Sequence, residues 1–183
     1  TCIISRVMLP SRLIRVLHLV STISLLAGAA SANGFPSWGY LINGLGVEAR
    51  ALLDASKDPL LVIDYSADGS AAGELSPADI AALRDGPCGR RFVLSYLSIG
   101  EAESYRFYWD PRWTDQGSND HDRPAWLGPE NPSWPGNYKV RYWIPEWQRM
   151  IVPPDGGNSG ASYLEKIVAA GFDGVYLDIV DAF

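Results

Sequence analysis

Apolar and polar positions alternate in blocks whose period changes along the chain. Leu60-Leu61-Val62-Ile63-Asp64-Tyr65 is a nearly continuous apolar run, as a strand covered on both faces of a parallel sheet reads. Residues 91–99 and 173–179 read as strands too, 38–42 is a shorter candidate, and 138–144 is a further one. Between them lie helical stretches. Val47–Ala55 sets Val47, Ala51, Leu52 and Ala55 on one side. Ser76-Pro77-Ala78-Asp79 and Ser162-Tyr163-Leu164-Glu165 have the spacing of capping boxes, with Gly86 and Gly171 as stop signals. Pro145-Glu146-Trp147-Gln148 opens a short helix. Residues 101–137 have little periodicity and much Pro, Gly and Trp, and read as a functional insertion. Residues 153–161 read as a linker.

Strands alternating with helices predict an α/β fold with a parallel sheet and helices outside it. Two architectures satisfy that order, an open doubly wound sheet and a (β/α)8 barrel. Gly44-Leu45-Gly46 follows the first strand but lacks the third glycine of a dinucleotide-binding turn. Strand parity favours the barrel. In Gly174-Val175-Tyr176-Leu177-Asp178-Ile179, Val175, Leu177 and Ile179 share an apolar face suited to packing under helices. Gly174, Tyr176 and Asp178 share the other, which turns polar only at its C-terminal end, as a TIM-barrel lumen does. Asp64 closes its strand in the same way, and Glu101 lies just past the end of the next.

The first 32 residues change the length available for that fold. Arg6, Arg12 and Arg15 precede an apolar run over 16–27, and Ala30-Ser31-Ala32 is a small-residue cleavage signal. Residues 1–32 are therefore expected to be a signal peptide, and the protein secreted or extracytoplasmic. The run is shorter than the roughly 20 apolar residues of a spanning helix, so no stable membrane insertion is expected after cleavage. Residues 33–183 are then the N-terminal part of a barrel domain, with about five of eight strands, truncated at the C-terminus.

Charge and composition narrow the chemistry. The chain has 15 basic and 21 acidic residues. Only Arg6, Arg12 and Arg15 of the basic ones precede position 33, so the remainder has a formal charge of −9. No basic patch supports nucleic-acid binding. A hydrophobic fraction of 47 % excludes a disordered chain. Removing Cys2 with the leader leaves Cys88 unpaired, the pattern of a buried small hydrophobe. His121, in Asn119-Asp120-His121-Asp122, is the one histidine after the leader, which is poor material for a zinc site. A Gly-x-Ser-x-Gly elbow is absent. No cofactor or metal is expected.

What remains is chemistry by carboxylates, and glycoside hydrolysis is its main class. Asp64, Glu101, Glu103, Asp178 and Asp181 cluster at or after strand ends. Six Trp (109, 113, 126, 134, 143, 147) and five Tyr (96, 105, 108, 138, 142) crowd the stretch from 96 to 147. Flat rings with a polar handle stack on pyranose faces, so this set predicts a saccharide cleft. The bland alternative for any one ring is packing inside the insertion.

Three runs carry a family resemblance: Ser95-Tyr96-Leu97-Ser98-Ile99-Gly100-Glu101-Ala102-Glu103-Ser104-Tyr105-Arg106, then Tyr138-Lys139-Val140-Arg141-Tyr142-Trp143 with Pro145-Glu146-Trp147-Gln148, then residues 171–183 around Tyr176-Leu177-Asp178. Together they resemble glycoside hydrolase family 114, described as endo-α-1,4-polygalactosaminidases and related glycosidases. The resemblance implies a (β/α)8 barrel cutting galactosamine-rich polysaccharide within the chain. It implies Asp178 as the catalytic aspartate, with Asp64 and Glu101 at motif positions in the sugar cleft. The partner carboxylate is expected on a later strand than this chain contains, so the full-length protein is the expected glycosidase and this fragment is expected to be inactive. The expected substrate-binding residues are Asp64, Tyr96, Glu101, Glu103, Trp143, Tyr176 and Asp181, and the expected partner is the polysaccharide. The alternative is a non-catalytic carbohydrate-binding barrel fragment.

Overall fold

The structure is a computed structural model that describes residues 35, 37–42, 44–114, 123–153 and 162–182. The expected signal peptide, the His121 cluster and most of the expected linker lie outside the described residues. The element order is β1 (Gly39–Leu41), α1 (Val47–Ala55), β2 (Leu60–Ile63), α2 (Pro77–Arg84), β3 (Asp85–Gly86), β4 (Gly89–Arg90), β5 (Phe92–Ser98), β6 (Glu101–Glu103), β7 (Leu127–Glu130), β8 (Asn137–Val140), α3 (Pro145–Ile151), α4 (Tyr163–Ala170) and β9 (Gly174–Asp178).

Four of these strands form a parallel sheet in the order β1-β2-β5-β9. Its register separates two faces. Leu61, Ile63, Val93 and Leu97 point to one side and join a core with Ile80 and Leu83 of α2 and Tyr163, Ile167 and Ala170 of α4. Val175 packs against the same core, while Leu177 is exposed on the outer strand. Tyr40, Val62, Leu94 and Gly174 form a row on the opposite face, and Asp64, Tyr96 and Tyr176 follow two residues on. The alternation foreseen for residues 174–178 is therefore present.

The sheet is curled. Its outer strands β1 and β9 are three inter-strand steps apart, about 14 Å in a flat sheet. Yet the Trp38 and Tyr176 rings stack with centroids 6.1 Å apart. The face bearing Tyr40, Tyr96 and Tyr176 is thus the concave floor of a trough.

Local chemistry explains the helix ends. Ser76 and Asp79 form a reciprocal capping box on α2, and Ser162 and Glu165 form one on α4. Gly171 ends α4 in the left-handed conformation at φ 89°, where a side chain would be strained. Arg91 closes the other ends: its Nη1 donates to the carbonyls of Leu53 (2.8 Å) and Ser56 (3.1 Å), and its Nε donates to that of Leu83.

Three expectations need correction. The run 138–144 is not a strand of the parallel sheet. Its strand is β8, which pairs antiparallel with β6 and β7 in a separate three-stranded sheet. The parallel sheet accordingly contains four described strands rather than five. The pattern Tyr138/Val140 fixed an inward face but not the neighbour. Secondly, α1 buries Leu53 and leaves Val47 and Leu52 exposed, because Leu53 reaches toward Gly39 at the sheet surface. Thirdly, Cys88 is exposed in the β3–β4 turn rather than a buried small hydrophobe. Among the described residues no helix is long and apolar enough to cross a membrane.

Candidate functional site

The polar chemistry gathers where the parallel strands end, as the sequence pattern requires. Asp178 is the last residue of β9 and lies opposite Ser98 in the β5–β9 ladder, one pleat beyond the Tyr96–Tyr176 pair. The Tyr96 hydroxyl donates to Asp178 Oδ2 at 2.9 Å. Burial, reinforced by the charges of Glu103 and Asp178, pushes the Tyr96 phenol far above its ordinary pKa, so it stays protonated and donates. The other Asp178 oxygen accepts no hydrogen bond among the described residues.

Three partly exposed rings line the trough beside this carboxylate. Trp38 stacks on Tyr176, and Tyr40 meets them edge-on at 5.5 and 5.7 Å. Burial and then the Asp178 charge raise the Tyr40 phenol well above its usual value. Trp38 and Tyr40 were not among the expected site residues. Their i, i+2 spacing on a strand was the available signal, since it puts both rings on one face.

Asp64 and Glu103 come together around a residue the sequence reading passed over, Arg106. Its Nη1 and Nη2 donate to the two oxygens of Asp64 at 2.7 and 2.8 Å, and its Nε donates to Glu103 Oε2 at 2.5 Å. Tyr105 supplies a further donor to Glu103 Oε1 at 2.6 Å, and the Ser66 amide one to Asp64 Oδ1 at 3.0 Å. All three charged side chains are at most 4 % exposed. The Tyr65, Tyr105 and Tyr163 rings stand 4.9–5.5 Å from the guanidinium. Burial works against the Arg106 charge, but the bonds and charges of Asp64 and Glu103 outweigh it and hold the guanidinium above its ordinary pKa. With both oxygens of each carboxylate engaged, this cluster is built to hold shape. The i, i+3 pair Glu103/Arg106 was its only trace in sequence.

Glu101 is buried and accepts from the side-chain amides of Asn131 (2.7 Å) and Asn137 (3.3 Å). With Gly100, Lys139, Ile179, Asp181 and Ala182 it lines a cavity of about 210 Å³. Glu101 and Asp181 thus share a wall, and Asp181 itself is exposed. Trp143 is not brought to the trough: it is 58 % exposed, and its only ring partner among the described residues is Tyr142.

The crowd of rings between 96 and 147 is mostly core rather than cleft, which corrects the expected saccharide surface. Trp109, Trp113, Trp126 and Trp147 follow one another in contact at 4.9–5.2 Å, with Trp126 and Trp147 buried. The three-stranded sheet and α3 need an apolar interior, and these rings supply it. Among the described residues, no group of three or more His, Cys, Asp and Glu side chains converges as a metal site.

A Methanocaldococcus jannaschii protein, MJ1477, is 42 % identical over 146 residues, covering 80 % of this chain and 36 % of that protein. A Thermotoga maritima protein is 40 % identical over 150 residues, covering 81 % and 40 %. The glycoside hydrolase domain of PelA from Pseudomonas aeruginosa superposes with a TM-score of 0.47 at 18 % identity, over 81 % of this chain and 46 % of that one. Aspergillus fumigatus Ega3, in a complex with galactosamine, superposes with a TM-score of 0.47 at 22 % identity, over 84 % and 49 %. The chain spans about two fifths of the length of the curated relatives it matches. The family model for glycoside-hydrolase family GH114 matches residues 29–183, and the chain belongs to that family.

Proposed function

We propose that the protein containing this chain is a secreted glycoside hydrolase that cuts galactosamine-containing polysaccharide within the polymer, with Asp178 as one of its two catalytic carboxylates. The observation that carries the reading is the strand-end position of Asp178, held by Tyr96 at 2.9 Å with its other oxygen uncommitted among the described residues, beside the Trp38–Tyr40–Tyr176 rings. Glycosidases flank the scissile bond with two carboxylates, and stacked rings offer a pyranose face its complement. The concave sheet supports a (β/α)8 wall over residues 33–183, and the residue pattern of 1–32 supports export. The acidic balance after position 32 favours a cationic polymer. Asp64, Tyr96, Glu101, Glu103, Tyr176 and Asp181 act as cleft residues in this reading, with Asp64 and Glu103 serving through Arg106 as supports.

A second reading, binding without turnover, rests on one observation: Asp64, Glu101 and Glu103 are all engaged by neighbouring donors. One assay separates the two. The full-length protein is incubated with α-1,4-linked polygalactosamine, its N-acetylated form and a neutral galactan, and new reducing ends are counted. Internal cleavage of polygalactosamine is expected; retention of the polymer without new ends would leave only the binding reading.

A further inference from the structure

The exits of β5 and β9 meet in an unusual contact. Ile179, directly after Asp178, has φ 54° and is the one non-glycine residue with positive φ among the described residues. A β-branched side chain is strained there, and such strain persists where the surroundings impose it. The imposing neighbour is Gly100. A Cβ on Gly100 would meet the Ile179 carbonyl oxygen, with Ala182 Cβ at 2.5 Å and Ile179 Cγ2 at 2.6 Å. The β5–β9 ladder runs on through the Ile99 amide, which donates to the Asp178 carbonyl at 3.1 Å. It then stops, and the left-handed residue swings 180–182 across Gly100. That swing makes one wall of the 210 Å³ cavity; Glu101 and Lys139, paired across the β6–β8 ladder, line it too.

We infer that Ile179 is a positioning residue whose strained turn, seated on Gly100, builds a one-ring subsite for an amino sugar at the turn that follows Asp178 in the chain. The inference rests on the functional reading above and deepens it by assigning a binding position. The cavity is smaller than the roughly 300–1,000 Å³ of a drug-sized pocket and suits a single pyranose. Glu101 and Asp181 outweigh Lys139 in charge along its lining, which favours an ammonium over a neutral acetamide. The two amide donors to Glu101 fix its carboxylate in place. Asp181 reaches the lining only because the chain turns at Ile179.

The test is a split between stability and binding, measured on the full-length protein. Ile179→Gly removes the strain and frees the turn, so Tm is expected to hold or rise. Affinity for an α-1,4-galactosamine tetramer, measured by calorimetry, is expected to fall at least tenfold. Gly100→Ala forces the 179–182 turn away and is expected to weaken the tetramer similarly, whatever it does to Tm. Asp181→Asn is expected to narrow the preference for the tetramer over its N-acetylated form. A clear fall in Tm for Ile179→Gly would show an unstrained packing residue and overturn the inference. So would unchanged tetramer affinity in Ile179→Gly and Gly100→Ala while Asp178→Asn or Tyr176→Ala weakens it, an outcome that leaves the functional reading standing. A wild-type protein that binds neither oligosaccharide overturns both.

Discussion

At the scale of single residues, Arg106 and Tyr96 play different parts: Arg106 holds Asp64 and Glu103, and Tyr96 holds Asp178. Arg106 neutralises part of a buried cluster holding two carboxylates, at distances that leave neither a spare oxygen. Removing one partner of a buried ion pair leaves uncompensated charge and costs about 3–5 kcal/mol. Arg106→Leu is therefore expected to lower stability by about that much in denaturant titration, with Asp64 and Glu103 left facing each other. Tyr96 is different. Among the described residues its hydroxyl makes one bond, to Asp178, and Tyr96→Phe keeps the ring that fills the trough floor. A typical hydrogen bond contributes about 0.5–1.5 kcal/mol, so the stability change is expected to be small. The turnover number is expected to fall well beyond the change in KM, because an unheld carboxylate is misplaced for reaction. Equal losses in stability and turnover would assign Tyr96 a purely structural part.

At the scale of elements, the helix ends were the most legible part of the chain. Ser76/Asp79 and Ser162/Glu165 form the caps their spacing specifies, because a cap depends on residues within four positions. Ser76→Ala is expected to cost about 1 kcal/mol. Ser76 hydrogen bonds, through its hydroxyl and then its amide, hold the Asp79 carboxyl below the usual aspartate range. Its folded pKa is lowered, so its contribution is present above the ordinary aspartate pKa and is lost as pH falls through the folded value. The difference in Tm between wild type and Asp79→Ala should therefore shrink as pH drops below about 4; a difference that grows would contradict the cap. The strands of the parallel sheet were legible for the same local reason, but β6 and β7, inside the unperiodic stretch 101–137, and the partners of β8 were not. Tyr138 and Val140 alternate inward whether their neighbour is β5 or β6, and only the turn at Gly100 decides. The tryptophans were read as a surface because composition carries no depth. Trp126 and Trp147 are as aromatic in a core as in a cleft.

At the scale of the whole molecule, the curl of the sheet connects these parts. It brings the β1 rings against Tyr176 of β9 and gathers the strand-end carboxylates on one rim. Asp178 was legible as a strand end with polar parity, whereas Arg106 was hidden because its partners lie 42 and 3 positions away along the chain. The central claim is that this rim performs glycoside hydrolysis through Asp178. The most direct measurement compares the full-length wild type with Asp178→Asn on α-1,4-polygalactosamine, counting new reducing ends while Tm verifies folding. The account predicts an unchanged melt, retained polymer binding and loss of cleavage in the variant. A folded Asp178→Asn protein that cuts the polymer at the wild-type rate would contradict it.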